Sequence, residues 1–250
     1  MNRAVSNRAL GAAPALAVLL TWQLAAMIVA SPQLPSPEAV LAVLWSEAAH
    51  GPLLADLGAT LTRVGVCFCL AMTAGSAIGI IMASSPIFGR WSEPWLQALL
   101  TMPAMAVAIL CYIWLGLGET AAILAVTLSK LPNVVVILRE GARNRDPELA
   151  EMAKLFRFSR KSLLFDVMLP ELAPYFLAAT RSGLSLVWKI VLLVELLGRS
   201  SGIGFRLHVY FQLLDIARIL AYALSFMAVI QLIEITLLAW MDRHVARWKR

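Results

Sequence analysis

Long apolar runs alternate with short polar segments along the whole chain. A run of about 20 apolar residues is long enough to cross the hydrocarbon core of a bilayer as a helix. Six stretches of this kind cover residues 9–30, 64–85, 94–118, 120–138, 172–197 and 219–240. This pattern predicts an all-α membrane protein, with six transmembrane helices in a single domain over residues 1–250.

Composition and charge agree with this interpretation and add an orientation. Of the 250 residues, 60% are hydrophobic and 14% are charged, whereas soluble domains have roughly 25% charged residues. Fourteen of the 21 Lys and Arg residues lie in the N-terminal segment, at Arg90, in residues 139–161 and in the C-terminal tail, and only two, Arg199 and Arg206, lie in the opposite segments. Positive charge is retained on the cytoplasmic side, so we expect both termini to be cytoplasmic in a bacterial inner membrane. Cations beside membrane ends also account for the net charge of +6 without any nucleic acid.

Catalytic and metal-binding patterns are missing from the sequence. Cys67, Cys69 and Cys111 lie inside apolar runs, and the three histidines are scattered singly. No GxxxxGK[ST] loop is present, and the serines of GRSSGIG lack a GxSxG elbow. We therefore expect a protein that is not an enzyme and has no metal or cofactor of its own.

Residues 139–171 form the longest charged insert between apolar runs. Asp146 and Pro147 are a good helix start. Apolar residues then recur at i, i+3, i+4 and i+7, namely Leu149, Met152, Ala153 and Phe156. Ser159 can cap a second short helix, which we expect Pro170 and Pro174 to end. Such helices either lie on lipid headgroups or dock into a soluble partner, and periodicity does not decide between the two.

Several motifs resemble one family of membrane proteins. The triplet Glu151-Met152-Ala153, followed by Leu169-Pro170, resembles the EAA loop of permease subunits of binding-protein-dependent ABC importers. Three further stretches resemble the nitrate/sulfonate/taurine branch of that family. They are LPSP (Leu34–Pro37), IWLGLGE (Ile113–Glu119) and VELLGRSSGIGF (Val194–Phe205). The resemblance extends from about Leu34 to the end of the sixth apolar run.

This resemblance implies a type I importer permease that acts as a homodimer. Its partners would be two cytoplasmic ATPase subunits, which bind ATP and Mg, and a soluble substrate-binding protein outside. The insert would be the coupling helix, with Met152, Ala153 and Phe156 as the buried contact and Glu151 as a polar anchor. Arg157 stands where the family has a glycine, and arginine tolerates positive φ poorly. Either the turn is made elsewhere, for instance at Phe158-Ser159, or coupling is adjusted.

Charged residues inside the apolar runs are candidates for the translocation path. One helical face of the fifth run carries Arg181, Ser185, Trp188, Leu192 and Glu195. An ionised group facing lipid at mid-bilayer costs at least about 2.5–3.5 kcal/mol, so this face should point inward. Arg181 and Glu195 either form structural ion pairs, with Glu234 a plausible partner for Arg181, or contact substrate.

Two lysines, Lys130 and Lys189, also lie within apolar runs. A lysine that lines a water-filled path would attract an anion, whereas Lys189 could equally snorkel outward or pair with Glu195 of a second copy. We expect a small anionic solute such as a sulfonate, taurine or nitrate. The alternatives are a neutral vitamin precursor carried by the same machinery, or an ATPase-independent channel. Gly75 and Gly79 form a GxxxG pattern that permits close helix contact.

Overall fold

The computed structural model describes residues 2–245, with side chains described except at residues 2–13, 15, 150, 154, 160 and 242–245. Across this range the regular structure is helical. The helices are α1 (Asn2–Val29), α2 (Pro37–His50), α3 (Leu53–Ser84), α4 (Pro86–Thr101), α5 (Ala104–Leu115), α6 (Glu119–Arg143), α7 (Pro147–Leu155), α8 (Arg160–Ser162), α9 (Leu169–Gly198), α10 (Ile203–Gln212) and α11 (Ile216–Val245). A π-helical stretch, Leu163–Met168, joins α8 to α9.

Four helical segments in the described part of the chain are long and apolar enough to cross a membrane. They are Leu53–Ser84, Glu119–Arg143, Leu163–Gly198 and Ile216–Met241. The pair α4 and α5 makes a fifth span if it is counted as one. The apolar part of α1, Leu16–Val29, is shorter. The all-α membrane class is confirmed, with four to five spans, and the first of the six spans stays a prediction.

The third predicted span, 94–118, falls on two helices, α4 and α5, rather than on one continuous helix. The helix is interrupted at Met102–Pro103, and the axes of α4 and α5 are bent by 102° relative to each other. Pro103 has no N–H to donate to the preceding turn, and its ring disfavours the helical conformation at the residue before it. Met102 accordingly is extended, with φ −73° and ψ 125°, and the helix ends there. Pro103 instead precedes the first residue of α5, a position that proline tolerates well.

Helices α3 and α6 pack against each other at the centre of the protein. Their contact is the most extensive one between two helices in the described part of the chain. A Cβ on Gly75 would lie 2.7 Å from Val134 Cβ, and one on Gly79 would lie 2.7 Å from the carbonyl oxygen of Val135. The GxxxG pattern therefore marks the α3–α6 contact. Helices α5 and α9 pack against the same pair through a core that includes Val126, Val187 and Val191.

The fifth span begins differently from the sequence prediction. Pro170 and Pro174 do not end the second short helix, because the chain continues as helix from α8 through the π-helical stretch into α9. The N–H of Leu169 bonds the carbonyl of Leu164, five residues back, at the end of the π-helical stretch. Prolines disturb the i to i−4 hydrogen bonds of the preceding turn, and a wider turn here lets the helix run on.

Candidate functional site

The charged insert folds as the sequence predicts at both helix starts. The Asp146 carboxylate accepts a hydrogen bond from the N–H of Glu148 at 2.9 Å, with Pro147 as the first helical residue. The Ser159 hydroxyl accepts one from the N–H of Ser162 at 3.1 Å. Both are N-caps that satisfy backbone donors of a first turn.

The turn between α7 and α8 is made at Arg157 itself. Arg157 has φ +50°, in the left-handed region, and the N–H of Phe158 bonds the carbonyl of Ala153 at 2.9 Å. This is the Schellman arrangement, in which glycine normally occupies the left-handed position. The turn is therefore not displaced to Phe158-Ser159, and Arg157 carries a backbone cost that a glycine would avoid.

The apolar stripe of α7 divides between the interior and the surface. Ala153 is buried against the chain itself, with 5% of its surface exposed, whereas Phe156 is 68% exposed and Met152 37% exposed. Leu155, which the sequence interpretation did not single out, is 81% exposed. Glu151 is also exposed. The free face of α7 thus consists of Met152, Leu155 and Phe156, with Glu151 beside them.

Leu169 and Pro170, the second half of the resemblance motif, open α9. Leu169 is exposed and Pro170 is half-buried. Glu171 in the same turn accepts a hydrogen bond from the N–H of Asp146 at 3.0 Å. The start of α9 is therefore tied directly to the start of α7, so that the two can move together.

The predicted path residues on α9 do not share one environment. Arg181 and Lys189 are exposed, and Ser185 is half-buried. The Trp188 ring packs edge-on against Phe226 at 5.8 Å, and its indole N–H has no hydrogen-bond partner among the described residues. That these residues line a path, and that Arg181 pairs with Glu234, stay predictions.

Lys130 lies inside the protomer, with 1% of its surface exposed. Its Nζ donates to Asn133 Oδ1 at 2.6 Å, and Ser182 Oγ donates to the same oxygen at 3.2 Å. This small polar cluster joins α6 to α9 in the middle of the bundle. Lys189, by contrast, is exposed and lies 5.3 Å from the centre of the Trp188 ring.

Glu195 belongs to a buried polar network at the end of the bundle opposite α7. Its carboxylate is fully buried and accepts hydrogen bonds from Arg63 Nη1 at 2.6 Å, from Thr60 Oγ1 at 2.9 Å and from the N–H of Gly204 at 2.9 Å. A buried carboxylate needs a cation and full hydrogen bonding to be tolerated. Within one protomer the Glu195 carboxylate has both, so this geometry favours the structural ion pair of the two alternatives.

Arg63 is the hub of this network, and the sequence interpretation left it without a role. Its guanidinium forks onto Glu119 at 2.6 and 3.1 Å and also donates to the carbonyl and the hydroxyl of Ser201. Glu119 ends IWLGLGE, whereas Glu195 and Ser201 belong to VELLGRSSGIGF. Two of the resemblance motifs therefore supply the partners of one arginine, which is the signal that could have identified it.

The loop from α9 to α10 closes over this network. Asp56 accepts hydrogen bonds from the N–H of Gly202 at 2.8 Å and from Arg206 Nε at 2.7 Å. Burial lowers the pKa of Arg206, but the hydrogen bond and charge of Asp56 outweigh burial and leave that pKa above its ordinary value. Gly202 has φ +106°, and a Cβ there would lie 2.4 Å from the Glu195 carboxylate. Only glycine therefore fits at this loop position, next to the buried Glu195 carboxylate.

The described residues contain no group of three or more His, Cys, Asp or Glu side chains that could hold a metal ion. The geometry that is present consists of helix-to-helix contacts, a buried charge network at one end and an exposed amphipathic helix at the opposite end. Such an arrangement suits a protein that transmits a conformational change and lets a solute through, rather than one that makes or breaks covalent bonds.

Comparison with known proteins agrees with these features. Residues 75–250 match the family described as "Binding-protein-dependent transport system inner membrane component". The taurine transport system permease protein TauC of Escherichia coli (strain K12) is 30% identical over 243 residues, covering 93% of this chain and 87% of that protein. The putative aliphatic sulfonates transport permease protein SsuC of Bacillus subtilis (strain 168) is 27% identical over 234 residues, covering 93% and 84%. The nitrate import permease protein NrtB of Synechocystis sp. (strain ATCC 27184 / PCC 6803 / Kazusa) is 30% identical over 210 residues, covering 80% and 76%.

The fold also matches a solved structure, "Crystal structure of an amino acid ABC transporter with histidines". The TM-score is 0.63 at 16% identity, and the match covers 82% of this chain and 98% of that one. The family match, the relatives and the fold lead to one conclusion: the chain belongs to the binding-protein-dependent transport system inner membrane components, the non-catalytic multi-pass permeases of ABC importers, whose ATPase and binding protein are separate chains.

Proposed function

We propose that this permease forms, as a homodimer, the translocation path for a small anionic solute such as a sulfonate, taurine or nitrate. The names of its relatives TauC, SsuC and NrtB support this solute class. Both termini lie in the cytoplasm in this proposal, since most of the lysines and arginines then fall inside.

The coupling role of α7 is carried by one observation, its exposed apolar face. The described residues leave Leu155 and Phe156 81% and 68% exposed and Met152 37% exposed, although burial of such side chains is worth about 1.5–3 kcal/mol each. A cleft on the cytoplasmic ATPase would cover this face, while the bond from Asp146 to Glu171 connects α7 with the membrane helix α9. Closure of the ATPase dimer would then be passed to α9.

Lys189 is the cation that we assign to the path. Lys130 is buried in a polar cluster within the protomer, whereas Lys189 is exposed in the outer part of α9. A cation facing water in a low-dielectric surrounding raises the local concentration of an anion. Lys189 therefore supports an anionic rather than a neutral solute.

Uptake by the complete transporter in proteoliposomes tests this proposal. Labelled taurine, an alkanesulfonate and nitrate are offered over a range of concentrations, with a neutral vitamin precursor as the comparison. Lys189→Gln should raise the half-saturating concentration of the transported anion, and Lys189→Arg, which keeps the charge, should not. Uptake of the neutral solute alone, or identical half-saturation for Lys189→Gln and the parent, would contradict the anion assignment.

A further inference from the structure

Helix α4 carries a row of polar side chains that the path residues considered above do not include. Glu93, Gln97 and Thr101 are spaced at i, i+4 and i+8, so they lie on one face. Gln97 Nε2 donates to Glu93 Oε1 at 3.1 Å, and Thr101 Oγ1 donates to the carbonyl of Gln97 at 3.1 Å. The row is thus continuous over about 12 Å of helix.

Contacts with α6 give the depth of this row in the bundle. Glu93 pairs with Arg139, in the second-to-last turn of α6. Leu96, one turn further along α4, packs with Val135 in one core cluster, and Val107, beyond the bend, packs with Val126 in another. The row therefore runs from the end of α6 that carries Arg143 to the middle of that helix, and it stops at the Met102–Pro103 break.

The row is uncovered in the protomer. Gln97, Thr101, Met102 and Pro103 are all exposed. A polar side chain or a broken helix backbone at this depth is tolerated only against protein or water, because lipid offers no hydrogen bonds. The described residues of this chain do not cover the row, so water or a second copy must do so.

The start of the row and the opposite face of α4 indicate which side of the helix faces water. At its start, the row opens into a cavity of about 370 Å³, whose lining includes the charged residues Arg90, Glu93 and Arg143 beside apolar ones. On the far side of the helix, Ile87, Trp91 and Trp95 are 69%, 77% and 74% exposed. Trp and aliphatic side chains suit lipid near the membrane interface, so α4 has one apolar face and one polar face that begins at a charged, open mouth.

We infer that the Glu93–Gln97–Thr101 face of α4 lines the cytoplasmic half of a water-filled path between two copies of this chain. This inference rests on the proposed function, because it uses the homodimer and the cytoplasmic position of the Arg143 end. The Arg139 ion pair neutralises Glu93 at the mouth, and Gln97 and Thr101 offer uncharged hydrogen-bonding groups beyond it. A hydrated anion that leaves toward the cytoplasm then passes polar groups without meeting an unpaired negative charge.

Cysteine labelling of the assembled transporter tests this assignment. Cys69 is the exposed native cysteine, whereas Cys67 and Cys111 are buried, so a Cys69→Ala background suffices. Gln97→Cys and Thr101→Cys are compared with Trp95→Cys on the opposite face of the same helix. Inverted membrane vesicles are treated with a charged, membrane-impermeant methanethiosulfonate, and labelling of denatured protein gives the total thiol.

Labelling is expected at Gln97→Cys and Thr101→Cys with loss of uptake, and no labelling is expected at Trp95→Cys. Labelling at Trp95→Cys with protection at Gln97→Cys, or protection at all three positions, would overturn the assignment. Uptake by the unlabelled variants separates this outcome from failure of the proposed function. If the labelling pattern appears but none of the anions is transported, the solute class is wrong and the path stands.

Discussion

Arg157 has a left-handed backbone conformation that a residue with a β-carbon seldom adopts. It holds φ +50° with a normal Schellman hydrogen bond at the end of α7. For a residue with a β-carbon the left-handed conformation costs about 1–2 kcal/mol. The turn at the end of α7 therefore has the usual Schellman shape, although a residue with a β-carbon occupies its left-handed position.

Arg157→Gly should relieve this cost and leave transport intact or improved. We expect the free energy of unfolding to rise by roughly 1 kcal/mol, measured by thermal unfolding of the detergent-solubilised protein, with uptake at least equal to that of the parent. Arg157→Ala is the matched control, since it removes the charge and keeps the β-carbon. If both variants are expressed normally and both lose uptake, the guanidinium itself is required, for instance against an acidic residue of the ATPase.

Individual charges inside spans illustrate what sequence alone can predict. The expectation that Glu195 needs a partner within the membrane follows from the cost of burying a charge, but the identity of that partner does not. Arg63 lies 132 residues from Glu195 and 56 from Glu119 in the chain, so no local spacing connects the three. Their meeting depends on how α3, α6 and α9 pack, which is a property of the tertiary structure.

At the scale of helices, periodicity and capping residues were sufficient where the interactions are local. Asp146 and Ser159 start helices as predicted, and Gly75 and Gly79 mark the α3–α6 contact. Prolines were less predictable. Pro103 breaks a span that composition indicates as continuous, whereas Pro170 lies in a helix that continues past it. A proline removes one hydrogen bond in either case, and the surrounding packing decides whether the chain bends.

Helix α7 should fail to engage the ATPase when its exposed face is made acidic. Met152→Asp together with Phe156→Asp places two charges on the uncovered surface, and loss of such apolar contacts at an interface costs about 2 kcal/mol or more, on the order of thirtyfold in affinity. Pull-down of the ATPase by the tagged permease measures this directly. Lys161→Asp is a control substitution of an exposed residue beyond the turn.

Two further readouts make the α7 prediction decisive. Insertion into the membrane should be unchanged in the double variant, because neither side chain is buried in the protomer. Retained ATPase binding and normal uptake in Met152→Asp/Phe156→Asp would show that α7 instead lies on lipid headgroups, the alternative that amphipathicity alone leaves open.

For the molecule as a whole, the structure separates two ends with different construction. One end is held by the Arg63 network and the loop from α9 to α10, in which Arg63, Glu195 and Asp56 all have hydrogen-bond partners. The opposite end has exposed apolar residues on α7 and an open charged cavity beside α4. Under the proposed function the ATPase would act at the end that carries α7, and the packed helices would transmit this movement toward the end held by the Arg63 network.

The rate of ATP hydrolysis by the reconstituted complex tests the central claim most directly. The permease, its ATPase and its binding protein are assembled in proteoliposomes, and hydrolysis is measured with and without the solute-loaded binding protein. Loaded binding protein should stimulate hydrolysis, and uptake should stop when ATP is withheld. Solute flux through the permease alone without ATP, or hydrolysis that does not respond to the loaded binding protein, would contradict the account.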